Sequence, residues 1–372
     1  MKILYFSTVN WMWIKQRPHF IPYYLSKRGH EVDFLSLNPL GKVKVKNDKF
    51  GSLKIIDKYV LPFALRYRFI ELINETYIKS HVYKNKYDVI VLTSPLHYKY
   101  IPNHMLLESS IIYECMDNIP FFYTGELRER FLYEERRTLE FADAIITSSD
   151  ALADICRDRL RGDSKKPIVT IYNAFDKETF SSRPKEIDLD KPNMVYIGTI
   201  GEWLDWGTLE RFAIQHSDYT VYLIGPEEIR RDLPRNIILV GSVPHYKVID
   251  YIYSGDIMLL PFQINELTRA VDPVKLYEYL YMNKPTISSY WPELDKFQSR
   301  NLMFYENYDQ FESHALNIVS RVTENNDGDR QEYEFIRNSV WENRVIEYDG
   351  FIQMVHKEKR EVKQEVERRR LR

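Results

Sequence analysis

Short runs rich in Ile, Val and Leu recur along this chain, and most are apolar throughout instead of alternating with polar residues. A strand with one wet face alternates, whereas a strand buried on both faces reads as a continuous apolar run. The runs fall at 2–7, 31–36, 53–57, 88–92, 110–115, 143–147 and 168–172, then near 194–198, 219–224, 236–240, 256–260, 285–288 and 302–305. Helical segments separate them. Strands of this kind, spaced by helices, build parallel sheets covered on both sides. Two sets of them predict two doubly wound α/β domains, which a chain of 372 residues can accommodate. The break between the sets is polar and lacks apolar periodicity, so 176–192 reads as a linker between domains at 1–176 and 192–340. No internal repeat of solenoid period is present.

Composition removes several classes of protein. The chain is 44% hydrophobic and 28% charged, as folded soluble domains are. A net charge of −2 gives no reason to expect nucleic acid as a partner. Its two cysteines, Cys115 and Cys156, lack metal spacing, which argues for a reducing cytoplasm and against a disulfide framework or a zinc site. The opening Met1–Ser7 reads as a strand and not as a signal peptide, and no apolar run approaches the roughly 18 residues that span a bilayer. The expected location is the cytoplasm, with no bound cofactor.

The stretch most suggestive of chemistry is Asn265 to Leu280. Asp272 suits the position that caps a helix, and Pro273 suits the first helical residue. The helix start then offers open backbone N–H groups and a partial positive charge, which favour a phosphate. Lys275 adds a full charge in the first turn, and Arg269 lies just upstream. Glu278 follows Lys275 by three residues, so both project from one side of the helix. Cations beside a carboxylate suit a sugar nucleotide: the cations hold the diphosphate, and the carboxylate accepts hydrogen bonds from ribose hydroxyls. The plainer reading is a solvated ion pair worth a few tenths of a kcal/mol. The flanking strands, near 257–262 and 284–288, put the stretch at the carboxyl end of a parallel strand, where open α/β sheets bind ligands. Gly198, Thr199 and Gly201 follow the first strand of the same domain, where a tight turn lets backbone approach a phosphate. Val243, in the loop Gly241–His245, is placed to flank a base ring through backbone groups; the loop is also an ordinary one.

The first domain offers different chemistry. Its first βα connection lacks the Gly-x-Gly-x-x-Gly fingerprint, so a dinucleotide site is not expected there. Trp11, Trp13, Gln16 and Arg17 in that loop suit an acceptor sugar, since indoles stack on sugar C–H faces and polar groups bond hydroxyls. The alternative is that the tryptophans cap the sheet edge. Asp117 ends the strand at 110–115 and is a candidate general base, or else a helix cap or Asx-turn residue. His19 and His97 are weaker candidates on loops. Residues 60–87 mix Arg66, Arg68, Lys79, Lys84 and Lys86 with Phe63, Leu65, Tyr67, Phe69, Ile70 and Tyr77. They form either a basic amphipathic surface that rests on anionic lipid or a core-facing helix with a solvated back. Arg128 to Phe141 reads as a charged, solvated helix. Asp188-Leu189-Asp190 and Asp327-Gly328-Asp329 match Asp-x-Asp by letter, but neither follows a hydrophobic strand, so no metal site is expected. The charged tail, His356 to Arg372, reads as a solvated or fraying helix whose basic end suits lipid headgroups.

The order of these segments resembles the GT-B glycosyltransferases, especially bacterial members near families 1 and 4 that build surface polysaccharide. The resemblance rests on Gln16-Arg17-Pro18 with Leu25–Val32, on Tyr113–Asp117, on Asn173–Asp176 with Phe180, on Gly198–Asp205 with Leu223–Pro226, on Pro261–Lys284 and on Trp341–Arg344. It implies two Rossmann-like domains facing a cleft, with a last helix from 341 to 372 packing back on the first. It implies transfer of a sugar from a nucleoside diphosphate, most often UDP, to a glycan or lipid-linked acceptor. The second domain would hold the donor, with Lys275 on the diphosphate and Glu278 on the ribose. Arg269, Lys275 and the helix start would take the place of a metal. Many retaining members carry a second Glu eight residues before the first; here that position is Ala270, with Glu266 and Asp272 as substitutes. A sugar-nucleotide epimerase of the same fold and a non-catalytic glycan-binding protein are the alternatives.

Overall fold

The computed structural model of the protein describes residues 1–41, 47–160, 165–321 and 330–370. The chain divides into two compact units, one made of Met1–Tyr172 with Glu342–Arg372 and the other of Asn173–Trp341. In the first unit run β1 (Lys2–Ser7), α1 (Arg17–Lys27), β2 (Glu31–Pro39), β3 (Asn47–Phe50), β4 (Leu53–Val60), α2 (Arg68–Val82), β5 (Val89–Leu92), α3 (Asn103–Glu108), β6 (Ser110–Cys115), α4 (Gly125–Phe141), β7 (Ala144–Thr147), α5 (Asp150–Arg159) and β8 (Ile168–Thr170). In the second run α6 (Lys177–Phe180), β9 (Asn193–Ile197), α7 (Trp206–Gln215), β10 (Thr220–Ile224), β11 (Ile237–Gly241), α8 (Val248–Ser254), β12 (Ile257–Leu260), α9 (Val274–Tyr281), β13 (Thr286–Ser289), β14 (Leu302–Tyr305), α10 (Tyr308–Arg321) and α11 (Arg330–Asn338). The helix α12 (Trp341–Arg370) closes the chain.

The first sheet is ordered β3-β4-β2-β1-β5-β6-β7-β8 and the second β11-β10-β9-β12-β13-β14. Every pairing is parallel except β3 with β4. The continuous apolar runs have their reason in the second sheet. Met194, Tyr196, Val221, Leu223, Ile257 and Leu259 enter one core cluster. Their neighbours Val195, Ile197, Tyr222, Ile224, Met258 and Leu260 enter another. Successive side chains on a strand point to opposite faces, so both faces of this sheet are buried. In each sheet the winding reverses beside the first strand, between β1 and β5 and between β9 and β12. The crevice at the carboxyl ends of such a strand pair is where this architecture binds ligands.

β3 is not among the strands that the apolar runs predict. Its residues Asn47, Asp48, Lys49 and Phe50 are largely exposed on a charged edge strand, and such edges discourage pairing with other chains. The stretch 176–192 is not a free linker either: Phe180 and Leu189 are buried in the second unit's core, and Lys185 and Ile187 donate backbone hydrogen bonds to Asp250 and Ser254. On α12, Val345, Tyr348, Ile352 and Val355 are buried. Asp349 binds Arg28 at 2.7 Å and His30 at 2.8 Å, and Lys359 reaches Asp143 at 2.7 Å. The tail is therefore helical through Arg370 and held to the first unit by its inner face.

Candidate functional site

In the second unit the loops after β9 and β12 meet at the winding reversal. Asp205 donates its backbone N–H to Pro261 O at 2.7 Å, and Gln263 to Trp203 O at 2.7 Å. The chain from Pro261 to Pro273 is pinned by its own polar groups. Asn265 Oδ1 accepts from the backbone of Leu267 and Thr268, Thr268 Oγ1 donates to Gln263 O at 2.5 Å, and Trp291 Nε1 donates to Val271 O at 2.9 Å. The chain then enters α9, whose Leu276, Tyr277, Tyr279 and Leu280 are buried. Tyr279 carries the link to β9, accepting from the Ile197 backbone at 3.0 Å.

Asp272 does not cap this helix. Pro273 occupies the cap position and no side chain caps the first turn. The Asp272 carboxylate is buried and accepts from the Asn173 backbone at 2.6 Å and from Tyr277 Oη at 3.1 Å, and Lys296 Nζ lies 3.0 Å away. An uncapped helix start keeps its N–H groups available to an anion. Lys275, half-buried, places Nζ 3.0 Å from Glu278 Oε2, and Glu278 is 1% exposed. This is not the solvated surface pair of the plainer reading, because one partner is fully buried. Arg269 is turned elsewhere. It sits in a short 3-10 turn, half exposed, 3.3 Å from Glu266, a pairing that contributes little in water.

The glycines have packing reasons. A Cβ on Gly225 would lie 1.9 Å from Gly198 O, so the ends of β9 and β10 approach too closely for a side chain. One on Gly201 would strike the Trp203 ring at 2.4 Å. Thr199 O accepts from Tyr196 Oη at 2.9 Å. Val243 is half-buried and packs against the core cluster of its unit.

In the first unit Asp117 follows β6 and is half-buried. Among the described residues no side chain or backbone N–H is bonded to its carboxylate, so it is neither a cap nor an Asx-turn residue. Burial pushes its carboxyl up to about 7, against a weaker opposing pull from the Arg17 guanidinium. Arg17 corrects the acceptor reading. Its guanidinium is buried, with Nε 2.6 Å from Glu114 Oε1 and Nη1 2.7 Å from Ile171 O. Glu114 also accepts from Tyr5 and Tyr348. This network joins β1, β6, α1 and α12 and is structural. Gln16 begins α1, its backbone N–H donating to His19 Nδ1 at 3.3 Å. Trp11 packs edge-on against Phe34 at 5.0 Å and tilted against His19 at 5.3 Å, as a cap of the sheet edge. Trp13 is 49% exposed beside exposed Met12 and Ile14. Burial lowers His19 to about 4 and His97, stacked on Phe6 at 3.9 Å, to about 3; both are neutral packing residues.

Among the described residues no three His, Cys, Asp or Glu side chains converge as a metal centre requires. Asp190 belongs to a contact with Tyr222, while Asp327 and Asp329 lie outside the described residues. No helix among the described residues is long and apolar enough to cross a membrane.

No family model matches the chain. It is 27% identical over 251 residues to a Bacillus subtilis (strain 168) protein named as a teichuronic acid biosynthesis glycosyltransferase, TuaH; the match covers 61% of this chain and 62% of that relative. Sucrose-phosphate synthase from Thermosynechococcus elongatus superposes with a TM-score of 0.72 at 12% identity, over 95% of this chain and 98% of that one. The lipopolysaccharide outer core galactosyltransferase WaaB superposes at 0.62 with 13% identity, over 95% and 99%. Anabaena HepE, in complex with UDP and glucose, does so at 0.57 with 12% identity, over 98% and 99%. The chain has the GT-B fold. It is similar to bacterial glycosyltransferases of polysaccharide biosynthesis. Ala270, at the position where the resemblance would put a second Glu, is buried in the turn before α9. Of its two substitutes, Asp272 is committed to Asn173, Tyr277 and Lys296, while Glu266 is exposed.

Proposed function

We propose that the protein is a glycosyltransferase that moves a sugar from a nucleoside diphosphate, UDP, to a glycan or lipid-linked acceptor in polysaccharide synthesis. The observation that carries the reading is the Lys275–Glu278 pair on an uncapped helix start at the winding reversal of a parallel sheet. Lys275 and the open N–H groups of α9 hold the diphosphate and stabilise the charge that develops on it as the sugar leaves. Glu278 accepts from the ribose hydroxyls. Gly198, Thr199, Gly201 and the Val243 backbone line the same donor site, and Arg269 reaches it only by leaving Glu266. These groups supply the positive charge, so donor binding needs no metal.

Asp117 acts as general base toward the acceptor hydroxyl. Trp13, with the loop through Trp11 and Gln16, meets the acceptor, and Arg17 supports that loop from within. Asn173–Trp341 is the donor domain. Met1–Tyr172, completed by α12, is the acceptor domain, and with a lipid-linked acceptor it works at the cytoplasmic face of a membrane. UDP is favoured as donor base by the HepE complex.

Thermal melting with UDP, GDP, ADP and TDP, each in EDTA and in magnesium, tests the reading. A nucleotide at a hundred times its Kd adds about 2.7 kcal/mol to the native state, a readily measured rise in Tm. We expect the rise with UDP, equal in EDTA. No rise with any nucleotide would contradict the donor site.

A further inference from the structure

The first two turns of α2 are mounted with their polar side inward, and further along the same face Ile78 and Val82 are buried. Glu71 and Asn74 are buried, while Phe69, Leu72, Ile73 and Tyr77 are exposed. Glu71 sits among three cations: Arg68 at 2.6 Å, Lys99 at 3.1 Å and Arg130 at 2.5 Å. Lys99 in turn pairs with Glu134. Asn74 clamps the turn before the helix, bonding both the N–H and the carbonyl of Leu61 at 2.9 and 3.0 Å. Ile78 and Val82 face the core as a core-facing helix requires, but the back of α2 is not a solvated polar one: it exposes Phe69, Leu72, Ile73 and Tyr77.

The turn ahead of α2 follows the same rule. Phe63 is 67% exposed and holds φ at +66°, a backbone conformation that a bulky side chain adopts only at a cost of about 1–3 kcal/mol. It is kept there by hydrogen bonds from the backbone of Arg66 and Tyr67 to its carbonyl, both 3.0 Å, and by Arg130 bonded to Leu65 O at 3.0 Å. Burying a charge network is expensive, and exposing this much apolar surface forgoes the usual gain of folding. Both make sense if the apolar side is covered by something else.

The charges name the cover. Arg66 and Arg68 stand at the start of the helix and Lys84 and Lys86 just past its end, all four exposed. The two carboxylates of α2 are turned away: Glu71 is buried, and Glu75 is half-buried, 3.7 Å from Arg68 and 3.9 Å from Lys79. An apolar face of Phe, Leu, Ile and Tyr with a cationic rim and no outward carboxylate is complementary to the interfacial zone of an anionic bilayer. We propose that the outer face of α2 and the turn at Phe63 lie in the headgroup region of an anionic membrane. The proposal deepens the membrane contact suggested for the acceptor domain, and it uses no residue of the donor site.

Flotation of the full chain with phosphatidylcholine vesicles, with and without phosphatidylglycerol, tests it. The wild type is expected to float with the anionic vesicles and to be released by high salt. Phe69→Ser/Ile73→Ser is expected to lose at least about tenfold in vesicle binding, because both side chains are outside the core. Arg66→Ser/Lys84→Ser is expected to lose roughly tenfold on anionic vesicles alone. The Tm rise with UDP, measured on the same variants, must stay. Its absence in every sample would count against the donor site and leave the membrane result standing. Failure of the wild type to float, or equal flotation of the apolar variant, would overturn the proposal. So would a dimer in sedimentation that the apolar variant splits without any vesicle binding, since the face would then join two copies of this chain.

Discussion

Asp117 joins a carboxyl raised to about 7 with the absence of any partner for that carboxylate among the described residues. A base must be ionised to accept a proton, so turnover should rise with pH through about 7 and level above it. Asp117→Asn should lower kcat by roughly two to four orders of magnitude and leave the Kd for UDP unchanged. The same shift has a stability consequence. Between the ordinary value of 3.8 and about 7 the folded carboxyl keeps a proton that the unfolded chain has released, so the folded state is favoured at the acid end. That contribution is lost as pH rises through about 7. Melting at pH 5 and pH 8 should show the wild type losing more than Asp117→Asn over this interval. Wild-type turnover in the variant would remove Asp117 as base.

At the scale of elements, α9 carries the proposed donor site and Asp272 holds its start. Asp272→Ala removes the acceptor of the Asn173 and Tyr277 bonds and the partner of Lys296, so urea unfolding should report a loss of about 2–3 kcal/mol. An unchanged midpoint would show that the contact is incidental. Here the sequence was only partly legible. The Lys275–Glu278 pairing follows from helical spacing alone and needed nothing distant. Asp-Pro, by contrast, reads the same whether the carboxylate caps its own helix or reaches a residue 99 positions away. Arg17 was misread for the same reason: the partner that turns it inward, Glu114, is 97 residues on. In α4 the run Glu134-Glu135 reads as solvated, yet both are buried, Glu135 against Arg159 and Tyr113 and Glu134 against Lys99 and Tyr98. Periodicity marks a helix with two faces, but it does not say which face is inside when buried cations can neutralise the charged one. The mounting of α2 was hidden in this way.

At the scale of the whole molecule, the architecture was the most legible part. Burial of a parallel strand on both faces is written into its own residues, so almost every strand of both sheets could be read from local composition. Only β3, charged and at an edge, carried no such mark. The winding reversals follow from strand order; at the one in the second unit the loops after β9 and β12 are bonded to each other, and Tyr279 of α9 accepts from the Ile197 backbone at the end of β9. The central claim is that this place holds the donor diphosphate and ribose without a metal. Isothermal titration of UDP in EDTA, into the wild type and Glu278→Ala, tests it most directly. We expect measurable binding by the wild type and about tenfold weaker binding by the variant, a difference near 1.4 kcal/mol. Equal affinity in the two proteins, or wild-type binding that appears only when magnesium is restored, would contradict the account.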